Sequence, residues 1–333
     1  VSQQMVREAT SAPAIIQAQL QLNAERCQHI AKQLKAQPPR AIMMIGRGTS
    51  DHAGVFAKYL FEVECGIPVF AAAPSVAGIY KSQLQLDGCL AICISQSGKS
   101  PDIIQQAKTA KAGGARVLAL VNVEDSPLAQ LADEVLPLHA EPELAVAATK
   151  SYLASLSALC QLCAYWQSGH QSAALLAALD TLPTAMEKAQ QQPPQLKADD
   201  LKSVKNCIVL GRGFGYAIAR EIALKLKEVL GIHAEAFSSA EFLHGPVTLA
   251  ERELCVIDVN IDDESGPAHQ QQMQAIAARG AKLLPLQAAD ASHARLQPLV
   301  LMQRFYLDVE HAARQLDLDP DAPPGLNKVT ETH

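Results

Sequence analysis

The sequence predicts two tandem α/β domains, each a parallel sheet with helices on both faces. The first observation behind this is an internal repeat. The run IGRGTSDHAGVFAKYLFEVECGIPV, from Ile45, aligns without a gap with LGRGFGYAIAREIALKLKEVLGIH, from Leu210. Gly46, Gly48 and Gly66 then fall on Gly211, Gly213 and Gly231, an offset of 211 − 46 = 165 residues. Each copy reads as apolar strand, Gly-Arg-Gly turn, amphipathic helix and Gly-Ile, and a repeat this long implies two copies of one architecture. The second observation is a set of unbroken apolar runs, which suit strands buried on both faces of a parallel sheet. The third is the alternation of strand-like with helix-like segments, the pattern of βαβ units.

In chain order, residues 5–35 carry Ala, Leu and Gln at helical spacing, and Gln37-Pro38-Pro39 ends that helix. AIMMIG, CLAICIS (89–95), ARVLALVN (115–122) and EVLPL (134–138) read as strands, with helices over 51–64, 101–112 and 126–132. A long helix is expected from Thr149 to Trp166, and QQQPPQL (190–196) is the expected linker. The second half repeats the plan. NCIVLG is a strand, Tyr216–Leu230 a helix, ELCVIDV (253–259) a strand, Pro267 a helix start, KLLPLQ a strand and Arg304–Leu316 the last helix. The expected division is a helical segment 1–36, domains 37–189 and 190–319, and a tail 320–333. The tail, DLDPDAPPGLNKVTETH, lacks apolar periodicity, and by pattern alone it reads as a frayed terminus.

Hydrophobic residues make up 49% and charged residues 19% of the 333, a globular composition. A net charge of −6 without like-charge blocks argues against nucleic acid as a partner. No run of about 18 apolar residues is present, so no membrane span is expected. VSQQMVREATSAP lacks the basic start and apolar core of a signal peptide. The eight cysteines do not form a disulfide framework, and Cys160 and Cys163, inside a helical run, read as buried thiols. A reducing, cytoplasmic setting is expected, as are no metal and no cofactor.

The strongest local signal is Ser95-Gln96-Ser97-Gly98-Lys99-Ser100-Pro101-Asp102, which leaves a buried strand and enters a helix. Three hydroxyls and several backbone N–H groups at one helix N-terminus make a nest for a phosphate monoester; the alternative is a polar turn with a capped helix. GxxxxGK[ST] is absent, so an ATP-dependent kinase is not expected. Gly46-Arg47-Gly48-Thr49-Ser50 is a second polar turn, and neither GRGTSDHAG nor GRGFGYA matches the dinucleotide fingerprint. Glu221, Lys225 and Glu228 share one helical face, which reads either as a solvated ion-pair face or as a general base tuned by a lysine. His244, before Gly245-Pro246, reads either as a turn histidine or as a proton carrier. His52 reads as a structural surface residue.

Together SQSGKS, the paired GRG turns, ALKLKEVLGIHAEAF, EFLHGP and NKVT resemble the sugar-isomerase (SIS) family, in particular the isomerase half of glucosamine-6-phosphate synthase. The resemblance runs from about residue 5 to the end. It implies two SIS domains of flavodoxin-like αβα form and a cradle for the sugar phosphate at Ser50, Ser95, Gln96, Ser97 and Ser100. It places the C1–C2 proton-transfer carboxylate at Glu228, with Lys225 opening that motif. It places the ring-opening histidine at His244, contributed across a homodimer interface, and a Schiff-base lysine at Lys328 in a tail lying over the site. Gly48, Thr49, Ala147 and Glu143 would face the sugar.

Departures from the synthase pattern include Lys99 and Ser100 for Glu and Thr, Leu243 for Lys, and Ala148 for Ser. The synthase's glutaminase domain is not expected. The implied activity is therefore that of a SIS-type glucosamine-6-phosphate deaminase, giving fructose 6-phosphate and ammonia. The alternatives are a fructosamine-6-phosphate deglycase, a galactosamine-6-phosphate deaminase or a non-catalytic sugar-phosphate sensor.

Overall fold

The computed structural model describes residues 3–288, 291–326 and 328. They pack as two compact units. One comprises 14–143, 150–180 and Lys328; the other comprises 3–13, 144–149 and the described residues of 181–326.

The first unit takes most of α1 (Gln4–Ala36), which ends just before Pro38-Pro39. Then follow β1 (Ile42–Ile45), α2 (Thr49–Cys65), β2 (Val69–Ala71), α3 (Pro74–Gly78), β3 (Leu90–Ser95), α4 (Pro101–Ala112), β4 (Arg116–Val121), α5 (Pro127–Leu131), β5 (Glu134–Pro137) and α6 (Lys150–Trp166). All strand pairings are parallel, in the order β2-β1-β3-β4-β5. This is the flavodoxin-like order, whose switch point lies between the first and third strands. The turns after β1 and β3, which carry Gly46–Ser50 and Ser95–Ser100, flank that point. Every residue of β1 and β3 is buried, as continuous apolar runs require. Met43, Ile45, Ala91, Cys93, Val117 and Ala119 pack against Ile103 and Ala107 of α4. Burial pushes the Cys93 thiol up to about 12, and all eight cysteines are free thiols.

Helix α7 (His170–Gln191) runs from this unit into the second, which continues with α8 (Ala198–Leu201), β6 (Asn206–Gly211), α9 (Phe214–Leu230), β7 (His233–Ser238), α10 (Ser239–Phe242), β8 (Cys255–Asn260), α11 (Gly266–Ala277), β9 (Lys282–Gln287) and α12 (Gln297–Gln315). Its sheet is again parallel, in the order β7-β6-β8-β9. Pro285 sits in β9 at a sheet edge, where its missing N–H breaks no ladder bond.

The repeat is structural. Helix α9 starts 214 − 49 = 165 residues after α2, and β8 and α11 follow β3 and α4 by the same offset at both ends. The N-cap glycines Gly48 and Gly213 share one conformation, φ 53 ψ −126 and φ 54 ψ −122, which side-chain-bearing residues rarely adopt.

The expected elements are present, and others join them. Strands β2 and β7 and helices α3, α7, α8 and α10 are not among those read from the sequence. β2 is only three residues long, and β7 alternates polar with apolar. Helix α12 begins at Gln297 rather than Arg304, because Pro298 occupies its first turn.

Candidate functional site

In the first unit, the turns after β1 and β3 and the tail lysine line a cavity of about 420 Å³. Gly48, Ser50, Ser95, Gln96, Ser97, Ser100 and Lys328 all border it. The β3–α4 loop is folded by its own serines. Ser95 Oγ accepts from Gly98 N at 3.1 Å, and Ser97 Oγ accepts from Lys99 N at 3.3 Å. Gly98 holds φ +63, and a Cβ there would meet Ser126 Oγ at 2.1 Å. Ser100 stands at the N-cap of α4 and Pro101 in its first turn, so the positive end of the helix faces this loop. Serine hydroxyls and a helix N-terminus around an open cavity are the kind of arrangement that can hold an anion.

Two charged groups there were missing from the candidates. Arg47 Nε pairs with Asp102 Oδ2 at 2.6 Å, and both line the cavity. Arg47 is the middle residue of a Gly-Arg-Gly turn that recurs at Arg212, and that recurrence was the available signal.

Lys328 Nζ donates to Glu143 Oε2 at 3.3 Å. Glu143 is buried and also accepts from Ser151 N at 3.1 Å and from Ser151 Oγ at 2.5 Å. The structure thus gives Glu143 a lysine and a serine as partners. Thr49 opens α2. Residues 327 and 329–333 of the expected lid lie outside the described residues.

In the second unit, Glu221, Lys225 and Glu228 do not form a solvated face, and that alternative is corrected. Their side chains are 0%, 1% and 22% exposed, because α9 packs this face against the unit's interior. Lys225 Nζ lies 3.3 Å from Glu221 Oε1 and 2.5 Å from Glu228 Oε2. Burial pulls this ammonium towards losing its proton, but Glu221 and Glu228 more than offset it and hold its pKa above the usual lysine value. Burying such charges costs several kcal/mol per ion unless they are paired, and perturbed charges beside a cavity mark candidate sites. Glu228 borders a cavity of about 710 Å³, lined also by Lys227, Asp317, Asp319, Pro324 and Leu326. His244 is exposed in the turn after α10, and its N–H bonds Glu241 O at 2.9 Å. Ala147 is fully buried.

The described tail is not frayed. Asp321 accepts from Gln4 N at 3.1 Å and Met5 N at 2.7 Å, and Arg314 holds the same carboxylate at 3.0 Å.

The second copy of the hydroxyl loop has diverged. Positions 260–265 read Asn-Ile-Asp-Asp-Glu-Ser where 95–100 read Ser-Gln-Ser-Gly-Lys-Ser. Glu264 is gripped by Arg295 at 2.7 and 2.9 Å, so a carboxylate and its arginine stand where the first copy offers hydroxyls.

Each unit is a parallel α/β sheet, and the first carries a hydroxyl-lined loop beside its switch point. The chain belongs to the SIS domain family, whose model matches residues 37–165 and 200–301. It is 32% identical over 311 residues to the glutamine–fructose-6-phosphate aminotransferase (isomerizing) of Thermotoga maritima, covering 86% of this chain and 51% of that protein. The corresponding aminotransferase of Symbiobacterium thermophilum is 34% identical over 313 residues, with coverages of 87% and 51%. The chain thus spans about half the length of the curated relatives it matches. Among solved structures, a putative phosphosugar isomerase from Silicibacter pomeroyi superposes with a TM-score of 0.89 at 35% identity, covering 96% of this chain and 99% of that one. The C-terminal domain of glucosamine-fructose-6-phosphate aminotransferase from Francisella tularensis superposes with a TM-score of 0.85 at 26% identity, covering 97% and 99%. No helix among the described residues is long and apolar enough to cross a membrane.

Proposed function

We propose that the chain is an enzyme acting on amino-sugar phosphates, and specifically a glucosamine-6-phosphate deaminase. Ser50, Ser95, Gln96, Ser97 and Ser100 hold the phosphate and fix one end of the substrate. His244 passes a proton between O5 and O1 and opens the ring. Glu228 takes the C2 proton and returns it to C1, converting the aldose amine to a fructose imine. Water adds to the imine carbon, and ammonia leaves with fructose 6-phosphate as the other product. Lys328 serves the carbonyl end, as a Schiff-base partner or as a fixed charge.

The observation that carries this reading is Lys328 Nζ in the same cavity as the hydroxyl loop: a primary amine that can condense with a carbonyl once it has given up its proton, beside an anion seat, suits a phosphorylated sugar. The curated relatives carry names of aminotransferases that isomerise fructose 6-phosphate, which supports the same substrate class. The experiment is an ammonia-release assay on a panel of hexosamine and fructosamine phosphates, with and without glutamine. Release from glucosamine 6-phosphate without glutamine is expected; inertness towards the whole panel removes the proposal. In this reading the chain is a homodimer in which His244 serves the neighbouring subunit. Mixing His244→Ala with Lys328→Ala chains then restores activity that neither has alone.

A further inference from the structure

We infer that Tyr306 is a positioning residue for the Glu228 carboxylate, acting through Glu221 and Lys225; this rests on the reading of Glu228 as the proton-transfer base. The side chains form a line. Tyr306 Oη, fully buried on α12, donates to Glu221 Oε1 at 3.2 Å. The same Oε1 lies 3.3 Å from Lys225 Nζ, and that ammonium holds Glu228 Oε2 at 2.5 Å. Exposure rises only at the last member, Glu228, which reaches the cavity.

One ammonium therefore serves two carboxylates, and Tyr306 adds a neutral donor to the first of them. A buried carboxylate short of a donor draws harder on those that remain. Without the hydroxyl, Lys225 moves towards Glu221 and loosens its hold on Glu228. A base displaced in this way still faces substrate but leaves the geometry proton transfer requires. The carboxylates buried on α12 itself belong to other pairings: Asp308 is bound by Arg304 and by the N–H groups of Gln195 and Leu196, and Glu310 by Arg314.

The test is Tyr306→Phe, which keeps the ring and removes only the hydroxyl. The expected result is a kcat lower by about tenfold with KM unchanged, and no further loss when the change is made in a Glu221→Gln background. A merely structural tyrosine would lower the melting temperature and leave that ratio alone.

The second readout does not depend on activity. It is the nitrogen-15 signal of the buried Lys225 ammonium, assigned by its loss in Lys225→Met. It should shift in Tyr306→Phe and in Glu221→Gln. An unchanged kcat, an equal loss in both backgrounds, or an unmoved Lys225 signal overturns the inference. If the wild-type chain is inert on every amino-sugar phosphate, the reading of Glu228 fails on its own, and the Lys225 signal still decides whether Tyr306 governs this cluster. Should Tyr306→Phe not fold, fluorotyrosine in place of all six tyrosines retains the hydroxyl with altered donor strength, and the Lys225 signal must respond.

Discussion

The side-chain amide of Gln303 donates to the carbonyl of Ala9 at 2.9 Å, across 294 residues of sequence. Ala9 lies four residues before Pro13, and Pro13 sits inside α1. Proline has no N–H, so it leaves that carbonyl without its helical partner. Gln303, fully buried on α12, supplies the missing donor.

Replacing Gln303 with Leu should therefore strand a buried carbonyl and cost about 1–3 kcal/mol. In a Pro13→Ala background the helix regains its own N–H for Ala9, and the cost of Gln303→Leu should fall. Denaturant unfolding of the four chains measures this. Equal costs in both backgrounds would break the link.

Asp321 does comparable work at the start of the same helix, where its two oxygens accept the N–H groups of Gln4 and Met5. These are groups that a helix cannot satisfy internally. Asp321→Ala should cost about 1–2 kcal/mol, the scale of a lost cap, and should speed amide exchange in the first turn of α1. Unaltered exchange there would show that another group caps the helix.

Much of this architecture was legible in the sequence. The repeat at offset 165 foretold matched elements, because glycine at Gly48 and Gly213 answers a backbone need that few residues meet. Buried parallel strands announced themselves as unbroken apolar runs. β7 did not, because at a sheet edge only its Ala234 is buried and two of its residues are charged or ionisable, His233 and Glu235. The hydroxyl loop was legible because three serines around a glycine have few other uses. The burial of Glu221 and Lys225 was not, since i, i+4 charge pairs on exposed and buried helices look alike in sequence. Contacts such as Gln303 with Ala9, or Asp321 with Met5, leave no local signal at all.

The Glu264–Arg295 pair gives a pH signature. Hydrogen bonding from Arg295, the largest cause, brings the Glu264 carboxyl down from 4.5 to about 2. A carboxyl lowered in the folded state contributes stability that is complete above about pH 4.5 and disappears as pH falls towards 2. The Glu264 side chain is 78% exposed, so solvent screens the pair and the effect is small. The melting difference between wild type and Glu264→Gln should be present near neutrality and vanish across that window. A difference that stays constant through it would mean the shift has no energetic weight.

Gly98 tests the proposed phosphate loop by geometry. With φ +63 and Ser126 within 2.5 Å of any added Cβ, Gly98→Ala must displace the segment that carries Ser95 and Ser97. Inorganic phosphate, measured as a competitive ligand by calorimetry, should bind at least about tenfold more weakly, or ~1.4 kcal/mol. Ser97→Ala, which removes one hydroxyl and leaves the loop in place, should have the smaller effect. Unchanged phosphate affinity in Gly98→Ala would move the anion seat elsewhere.

Glu228 carries the chemical step in the proposed reaction, and Glu228→Gln separates that role from folding. The amide keeps the shape and can still accept from Lys225, but it cannot take a proton from C2. Turnover should fall by about 10²-fold or more, and exchange of the C2 hydrogen with solvent should stop. Affinity for the sugar phosphate should hold, because Ser95, Ser97 and Ser100 are untouched. Lys225 also loses one of the two carboxylates that raise its pKa, so the variant should show a more readily deprotonated lysine. Normal C2 exchange in Glu228→Gln would mean that another group is the base. Glu143 is already engaged with Ser151 and Lys328, so Glu241 in α10 would be the next residue to replace.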